Sequence, residues 1–70
     1  MSTPTIGTIA RFDLDGGDSY IGEVVETGGN CVVLRNYSAW YEGDTEPYNS
    51  EHPDIEVRFR VDAKTRTEQF

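Results

Sequence analysis

Residues that could hold a binding partner are concentrated in one short stretch of the sequence. Four of the eight aromatic residues and three interleaved carboxylates fall within twelve positions: Tyr37, Trp40, Tyr41, Glu42, Asp44, Glu46 and Tyr48. Aromatic faces beside carboxylates attract arginine, lysine and methylated ammonium groups through cation–π and Coulomb interactions. Tyrosine and tryptophan are also the residues that most often anchor protein interfaces. The stretch therefore predicts a surface for a protein partner that is itself basic.

Trp40 also has a purely structural interpretation. Aromatic side chains dominate small cores, so this residue could be the lid that closes a small β-barrel. The chain offers no long apolar element against which four clustered aromatic side chains could all be buried. We therefore expect part of the cluster to be exposed.

The basic residues form a second candidate surface near the end of the chain. Residues 58–70 hold four cations against two carboxylates, whereas residues 1–57 hold two cations against eleven carboxylates. The four C-terminal cations are Arg58, Arg60, Lys64 and Arg66. Such a stripe binds phosphate backbones, which makes a nucleic-acid-binding β-barrel the alternative function. We favour pairing with the molecule's own carboxylates, such as Glu23 or Glu26 on a neighbouring strand, and nucleic acid is the less favoured partner.

No set of residues predicts catalysis, a metal site or a cofactor. The segment Asp13–Asp18 has acidic residues at a calcium-like spacing, but Val24 stands at the twelfth position, where a calcium loop needs a bidentate glutamate. The single histidine, His52, and the single cysteine, Cys31, lie on separate predicted elements and do not make a zinc site. We therefore expect a non-enzymatic protein with no cofactor and no metal.

The net charge of −7 has two interpretations. A surface rich in Asp and Glu and poor in Lys is similar to that of haloarchaeal proteins, and we favour this environmental explanation. An anionic surface could instead mimic nucleic acid, as in a phage or viral inhibitor that occupies the nucleic-acid site of a basic host protein. The function expected from the sequence is thus that of an acidic inhibitor or adaptor, since net charge bears on partners and solubility rather than on fold.

Length and cysteine content limit the class of protein. Seventy residues predict a single domain spanning 1–70 with a small core. No apolar run approaches the roughly 20 residues of a membrane span, and the N-terminus does not resemble a secretory signal. The lone Cys31 fits a reducing compartment. We therefore expect a cytoplasmic protein, in the host cytoplasm if it is viral, with no membrane partner.

Short apolar alternations separated by glycine turns predict an all-β fold. Four strands are expected: Thr5–Leu14, Ser19–Glu26, Cys31–Tyr37 and Ile55–Val61. Two Gly-Gly pairs supply tight hairpin turns after the first and second strands. Gly22 stands where the apolar pattern of the second strand changes parity, which predicts a bulge or bend. The consecutive apolar residues 32–34 predict burial on both faces of the third strand.

In the first predicted strand, alternation places five residues on one face: Ile6, Thr8, Ala10, Phe12 and Leu14. Ile9 breaks this alternation and indicates that the second face is also partly covered. In the last predicted strand, Ile55 to Val61 alternate cleanly between apolar and charged residues.

The remaining segments are expected to be irregular. Residues 38–54 are predicted to form a long loop, and residues 1–4 and 62–70 to fray, with a last short strand or a helical turn as alternatives for 62–70. Hairpin-linked strands, a bent second strand, a long excursion and a returning strand resemble the architecture of SH3-like and Tudor-like small barrels. An OB-like barrel is the alternative, although it usually includes a helix. The expected fold is a single-domain antiparallel barrel or strongly bent sheet of four to five strands, whose free edges are compatible with a homodimer.

Overall fold

The structure is a computed structural model and describes residues 4–70. This part of the chain forms six strands and no helix: β1 (Ile9–Asp13), β2 (Ser19–Gly28), β3 (Cys31–Trp40), β4 (Tyr48–Asn49), β5 (Glu56–Arg60) and β6 (Arg66–Gln69). The all-β prediction is confirmed, with one or two strands more than expected. The N-terminal end that was predicted to fray lies outside the described residues except for Pro4.

All strand pairs are antiparallel and belong to one sheet. The strand order is β4-β3-β2-β1-β6, and β5 pairs with β3 along the same edge as β4. Among residues 4–70, β6 pairs only with β1, so the sheet is strongly bent without closing. This architecture is consistent with a small barrel-like fold. The described part of the chain holds no helix of the length and apolarity that a membrane span requires.

Both predicted hairpin turns are present. The backbone N–H of Leu14 donates to the carbonyl of Asp18 at 2.8 Å and closes the β1–β2 turn, in which Gly17 has a φ of +94°. Gly29 has a φ of +56° in the turn between β2 and β3. Positive φ is available to glycine without a steric penalty, so the Gly-Gly pairs explain why the chain reverses at these two points.

Gly22 allows β2 to bend over β3. The pairing register between these strands shifts between Ile21 and Glu23. A Cβ atom at Gly22 would lie 2.7 Å from the Cβ of Tyr37 and 2.9 Å from its Cα, closer than a side chain tolerates. The predicted bend is therefore confirmed, and its cause is a backbone approach that only glycine permits.

The core lies on the concave face of the sheet. Phe12 packs edge-on against Phe59 with ring centroids 5.2 Å apart, and Phe59 stacks on Tyr20 at 4.5 Å. Val32 and Leu34 are buried in this cluster, and Val33 is buried as well, so burial of the run on both faces is confirmed. Burial of these apolar side chains stabilises the fold.

Two predictions for the first strand are wrong. Ile6 is 59% exposed because residues 5–8 form a turn, in which Thr8 N–H donates to the carbonyl of Thr5 and Gly7 has a φ of +94°. The strand therefore begins at Ile9, four residues later than expected. Ile9 is 52% exposed, so it does not indicate a covered second face.

Two segments expected to be irregular contain strands. β3 continues through residues 38–40, where Ala39 pairs with Tyr20 on one side and with Tyr48 of β4 on the other. Residues 38–54 are therefore not one loop. Within residues 62–70, β6 pairs with β1 in the register Asp13↔Arg66 to Ala10↔Gln69, so the short strand is the alternative that the structure shows.

Candidate partner-binding site

All four tyrosines of the protein surround one small residue on the concave face. Ala39 has no exposed surface; Tyr20 and Tyr48 are its cross-strand neighbours on β2 and β4. Tyr37 lies two residues earlier on β3, on the same face. Tyr41 follows the end of β3, and its ring is perpendicular to that of Tyr20 at a centroid distance of 6.0 Å. We call these four residues the tyrosine cluster.

The tyrosine cluster has a buried half and an exposed half. Tyr20 and Tyr37 are each 8% exposed, whereas Tyr41 and Tyr48 are 42% and 45% exposed. Tyr37 therefore belongs to the core, and its ring supports Tyr48 at a centroid distance of 6.1 Å. Tyr20 supports Tyr41 in the same way, so each exposed ring rests on a buried one. Sequence reasoning did not identify Tyr20, because it lies far from the others along the chain.

Burial makes the inner tyrosines harder to ionise. It raises the pKa of Tyr20 to about 12, with a further contribution from the neighbouring Tyr41 phenol. Burial likewise raises the pKa of Tyr37, and Tyr48 adds to the effect. Both phenols are protonated at physiological pH, as a free phenol is, and the raised pKa values extend this neutral range to higher pH.

Trp40 lies on the opposite face of β3. It pairs with Ser19, alternates with Ala39 and is 38% exposed, so it does not close a barrel as a core lid. The sheet thus divides the predicted aromatic residues. Tyr41 and Tyr48 lie on the side of the core, and Trp40 lies on the outer side near the same end of β3.

The backbone around Tyr41 is held by two carboxylates. Asp44 N–H donates to the carbonyl of Tyr41 at 2.9 Å, and Tyr41 N–H donates to Oδ2 of Asp44 at 3.1 Å. Gly43 has a φ of +89°, which this tight turn requires. Glu42 N–H donates to Oδ1 of Asp18 at 3.0 Å and ties the turn to the β1–β2 hairpin. We call residues 41–44 the Tyr41 turn.

Carboxylates near the tyrosine cluster lack cationic partners within the described chain. Residues 36–57 contain no Lys or Arg, and Glu42, Asp44 and Glu46 are all exposed. The ion pairs found among residues 4–70 use other carboxylates: Asp13, Asp15, Glu23 and Glu26. The surface around the exposed tyrosines is therefore anionic.

The four C-terminal cations are placed differently. Arg58 lies 3.7 Å from Glu26, because both residues flank Val33 in the register of β5, β3 and β2. Lys64 lies 3.7 Å from Asp15 of the first hairpin. These pairs are exposed and each contributes no more than about 1 kcal/mol, but they reduce the positive charge presented outward.

Arg66 lies directly across from Asp13 on β1. A hydrogen bond from Ser19, together with Arg11 and more weakly Arg66, holds the pKa of Asp13 below its usual value despite partial burial. Arg60 pairs with Cys31 on β3 and takes part in no ion pair found within residues 4–70. The four C-terminal cations are thus divided between two places. Arg58 and Arg60 lie on β5, whereas Lys64 and Arg66 lie near the β1–β6 edge.

Residues 4–70 bring together no group of three His, Cys, Asp or Glu side chains that could hold a metal ion. Cys31 is half-buried and lines a cavity of about 230 Å³ together with Phe12, Val32 and Val61. The chain matches no protein-family model, no curated protein and no solved structure.

Proposed function

We propose that this protein is a non-enzymatic binding protein that engages a protein partner with a basic surface. The central contact residues are Tyr41, Glu42, Asp44, Glu46 and Tyr48, with Tyr37 supporting them from the core. Trp40 extends this surface around the end of β3 onto the outer side of the sheet. One observation carries the proposal: Tyr41 and Tyr48 are more than two-fifths exposed and yet are held in place by the structure beneath them. Exposed aromatic rings of this kind are the usual anchors of protein interfaces.

Tyr48 is fixed as firmly as Tyr41. It belongs to β4, which pairs with β3 through Ser38 and Ala39. Just beyond it, Ser50 N–H donates to the carbonyl of Tyr37 at 2.9 Å, and Tyr37 N–H donates to the Ser50 hydroxyl at 3.1 Å. Anchors held in their bound position lose little conformational entropy on association, which favours affinity.

The charge of the surface favours a basic partner. Carboxylates without intramolecular cations raise the association rate of a positively charged protein and repel phosphate backbones. A partner that binds nucleic acid through its basic site would find an anionic competitor in this surface. An adaptor would instead leave nucleic-acid binding by its partner intact, so a competition assay separates these two modes of action.

The first experiment is affinity capture from the native lysate at low and physiological salt, followed by calorimetry on the captured protein. Trp40→Ala, or the pair Tyr41→Ala and Tyr48→Ala, should weaken binding by about 2 kcal/mol or more. The matched control is the double variant Arg58→Glu and Arg60→Glu, which should change binding less because these residues lie on β5.

A nucleic-acid complex would contradict the proposal. The protein should show no measurable binding to random duplex or single-stranded DNA or RNA at about 0.15 M salt, where the Debye length is about 8 Å. If four cations did contact phosphates, log K would fall with log salt at a slope of up to about −3.6 on duplex DNA. A salt-dependent complex that the double variant abolishes would establish the nucleic-acid-binding alternative instead.

A further inference from the structure

We infer that the Tyr41 turn is a binding site for one arginine side chain of the partner. The guanidinium group stacks on the exposed face of the Tyr41 ring and donates hydrogen bonds to the carboxylates of Asp18 and Asp44. This inference rests on the proposed function, because it specifies which chemical group the aromatic and acidic surface recognises. It adds Asp18, a residue on the first hairpin, to the contact surface.

The Tyr41 ring is exposed enough for a planar cation to stack on it. The residue is 42% exposed. Its ring packs perpendicular to that of Tyr20, with an interplanar angle of 86°. The turn hydrogen bonds of residues 41–44 hold the backbone that carries the ring in place.

Two carboxylates at the backbone of the Tyr41 turn are fixed and retain acceptor capacity. Asp44 accepts from Tyr41 N–H through Oδ2, and Asp18 accepts from Glu42 N–H through Oδ1. Within residues 4–70, the second oxygen of each group, Oδ1 of Asp44 and Oδ2 of Asp18, makes no hydrogen bond or ion pair. These carboxylates therefore differ from freely rotating surface acids, because their hydrogen bonds hold them at the backbone of Tyr41 and of the residue that follows it.

The geometry favours arginine over lysine and over methylated ammonium groups. A guanidinium is planar, stacks on an aromatic face and carries five donors that can reach two carboxylates at once. A lysine ammonium is a compact, strongly hydrated charge that gains less from an exposed ring. Methylated ammonium groups are bound in aromatic cages, whereas Tyr41 and Tyr48 are open to solvent.

Peptide titrations followed by NMR test this assignment directly. Acetylated peptides of alternating glycine and arginine, glycine and lysine, or glycine and citrulline are added to the isotopically labelled protein. The arginine peptide should shift the amide signals of residues 17–18 and 41–44, with ring-current shifts on its δ protons. The lysine peptide should bind about three- to fivefold more weakly, since a cation–π contact at an exposed site contributes a factor of this size. The citrulline peptide should cause no saturable shift, because citrulline carries no charge.

Matched variants distinguish specific binding of arginine at the Tyr41 turn from general electrostatic attraction. Asp18→Asn and Asp44→Asn keep an oxygen for the backbone hydrogen bond and remove the charge, and each should weaken the arginine peptide about three- to fivefold. Tyr41→Leu should do the same, whereas Tyr41→Phe should retain stacking. Glu51→Gln removes a charge from the same long segment away from the turn and serves as the control.

Equal binding of the arginine and lysine peptides, or shifts centred away from residues 17–18 and 41–44, would overturn the inference. It is also overturned if Glu51→Gln weakens binding as much as Asp44→Asn. Failure of the inference is distinguishable from failure of the proposed function. In the former case the natural partner still depends on Tyr41 and Tyr48 but is insensitive to Asp18→Asn and Asp44→Asn, and in the latter it depends on neither set.

Discussion

The Tyr41 turn and the basic C-terminal segment both carry clustered charge, but the fold treats that charge in opposite ways. Arg58 and Lys64 each lie 3.7 Å from a carboxylate of another strand or hairpin. Asp18 and Asp44 instead bind backbone N–H groups and meet no cation within residues 4–70. In the basic region two of the four cations are paired with carboxylates. The acidic region uses part of its charge to bind its own backbone and presents the rest to solvent.

This difference shows that the position of a charge in the sheet matters more than its position along the chain. Arg58 and Glu26 are far apart in sequence, and they become neighbours because Val33 pairs with both of their strands. The carboxylates near Tyr41 have no cation opposite them in any neighbouring strand of the described chain. Cross-strand register therefore decides which of the two charged segments is available to a partner.

The largest expected effect comes from disturbing the support beneath the aromatic region. Gly22→Ala should destabilise the fold by about 3 kcal/mol, because its Cβ would collide with Tyr37. The free energy of unfolding in urea measures this loss. Gly28→Ala is the control, since a Cβ there meets nothing within 4 Å, and its stability should be nearly unchanged. Equal stability of the two variants would show that Tyr37 is not fixed by this contact.

The second prediction concerns how the stability of the fold depends on pH through the ionisation of Tyr20, a member of the tyrosine cluster. The pKa of Tyr20 in the folded protein is about 12, against 10.0 for a free phenol, mainly because burial disfavours the charged form. Its contribution to stability is complete below pH 10 and is lost as the pH rises through about 12, with a total of roughly 3 kcal/mol.

Urea unfolding at a series of pH values checks this titration, with Tyr20→Phe as the comparison. The variant should lose less stability than the parent protein between pH 10 and 12, the range set by the shifted pKa. Tyr37, whose pKa is also raised by burial, contributes in the same direction and remains in both proteins. Identical pH profiles for parent and variant would contradict the assigned burial of Tyr20.

A smaller effect is expected in the basic segment. Arg58 and Glu26 are each 64% exposed in their side chains, so a double-mutant cycle with Arg58→Ala and Glu26→Ala should give a coupling energy below about 1 kcal/mol. The coupling should decrease further when salt is added. A coupling of several kcal/mol would mean that these residues form a rigid ion pair, and the contrast between the two regions would then be sharper than proposed.

The smallest expected effect is on the stability of the Trp40 variant. Trp40→Ala should change the free energy of unfolding by only about 0.5 kcal/mol, because Trp40 lies on the outer face with 38% of its surface exposed. Its effect on partner binding should be several times larger. Thermal unfolding of the variant checks this, and failure to fold would show that Trp40 belongs to the core.

The sequence allowed prediction of the features that local chemistry determines. The Gly-Gly turns, the bend at Gly22 and the alternation of β5 follow from backbone freedom and a two-residue period, and the structure confirms them. The start of β1 was misplaced because Ile6 and Thr8 continue the apolar alternation through a turn. The weakly apolar strands β4 and β6 exist through pairing with β3 and β1, and no local signal indicates such pairing.

The candidate site was predictable as a set of residues and not as an arrangement. The density of aromatic residues in positions 37–48 identified Tyr41 and Tyr48, each of which the structure packs against a buried tyrosine of the core. Tyr20 and Asp18 join them only because β2 pairs with β3 and the first hairpin contacts the Tyr41 turn. Trp40 lies on the other side of the sheet from these residues, because successive residues of a strand face opposite sides.

The pairing of β6 with β1 has a consequence for the order in which the chain folds. The hairpins β1–β2 and β2–β3 close short loops, whereas Ala10 and Gln69 meet across nearly the whole chain. Closing a longer loop costs more chain entropy and slows the search for the correct partner. We therefore expect the three hairpin strands to assemble first and β6 to dock last, and the amide protons of β6 to exchange with solvent sooner than those at the centre of the sheet.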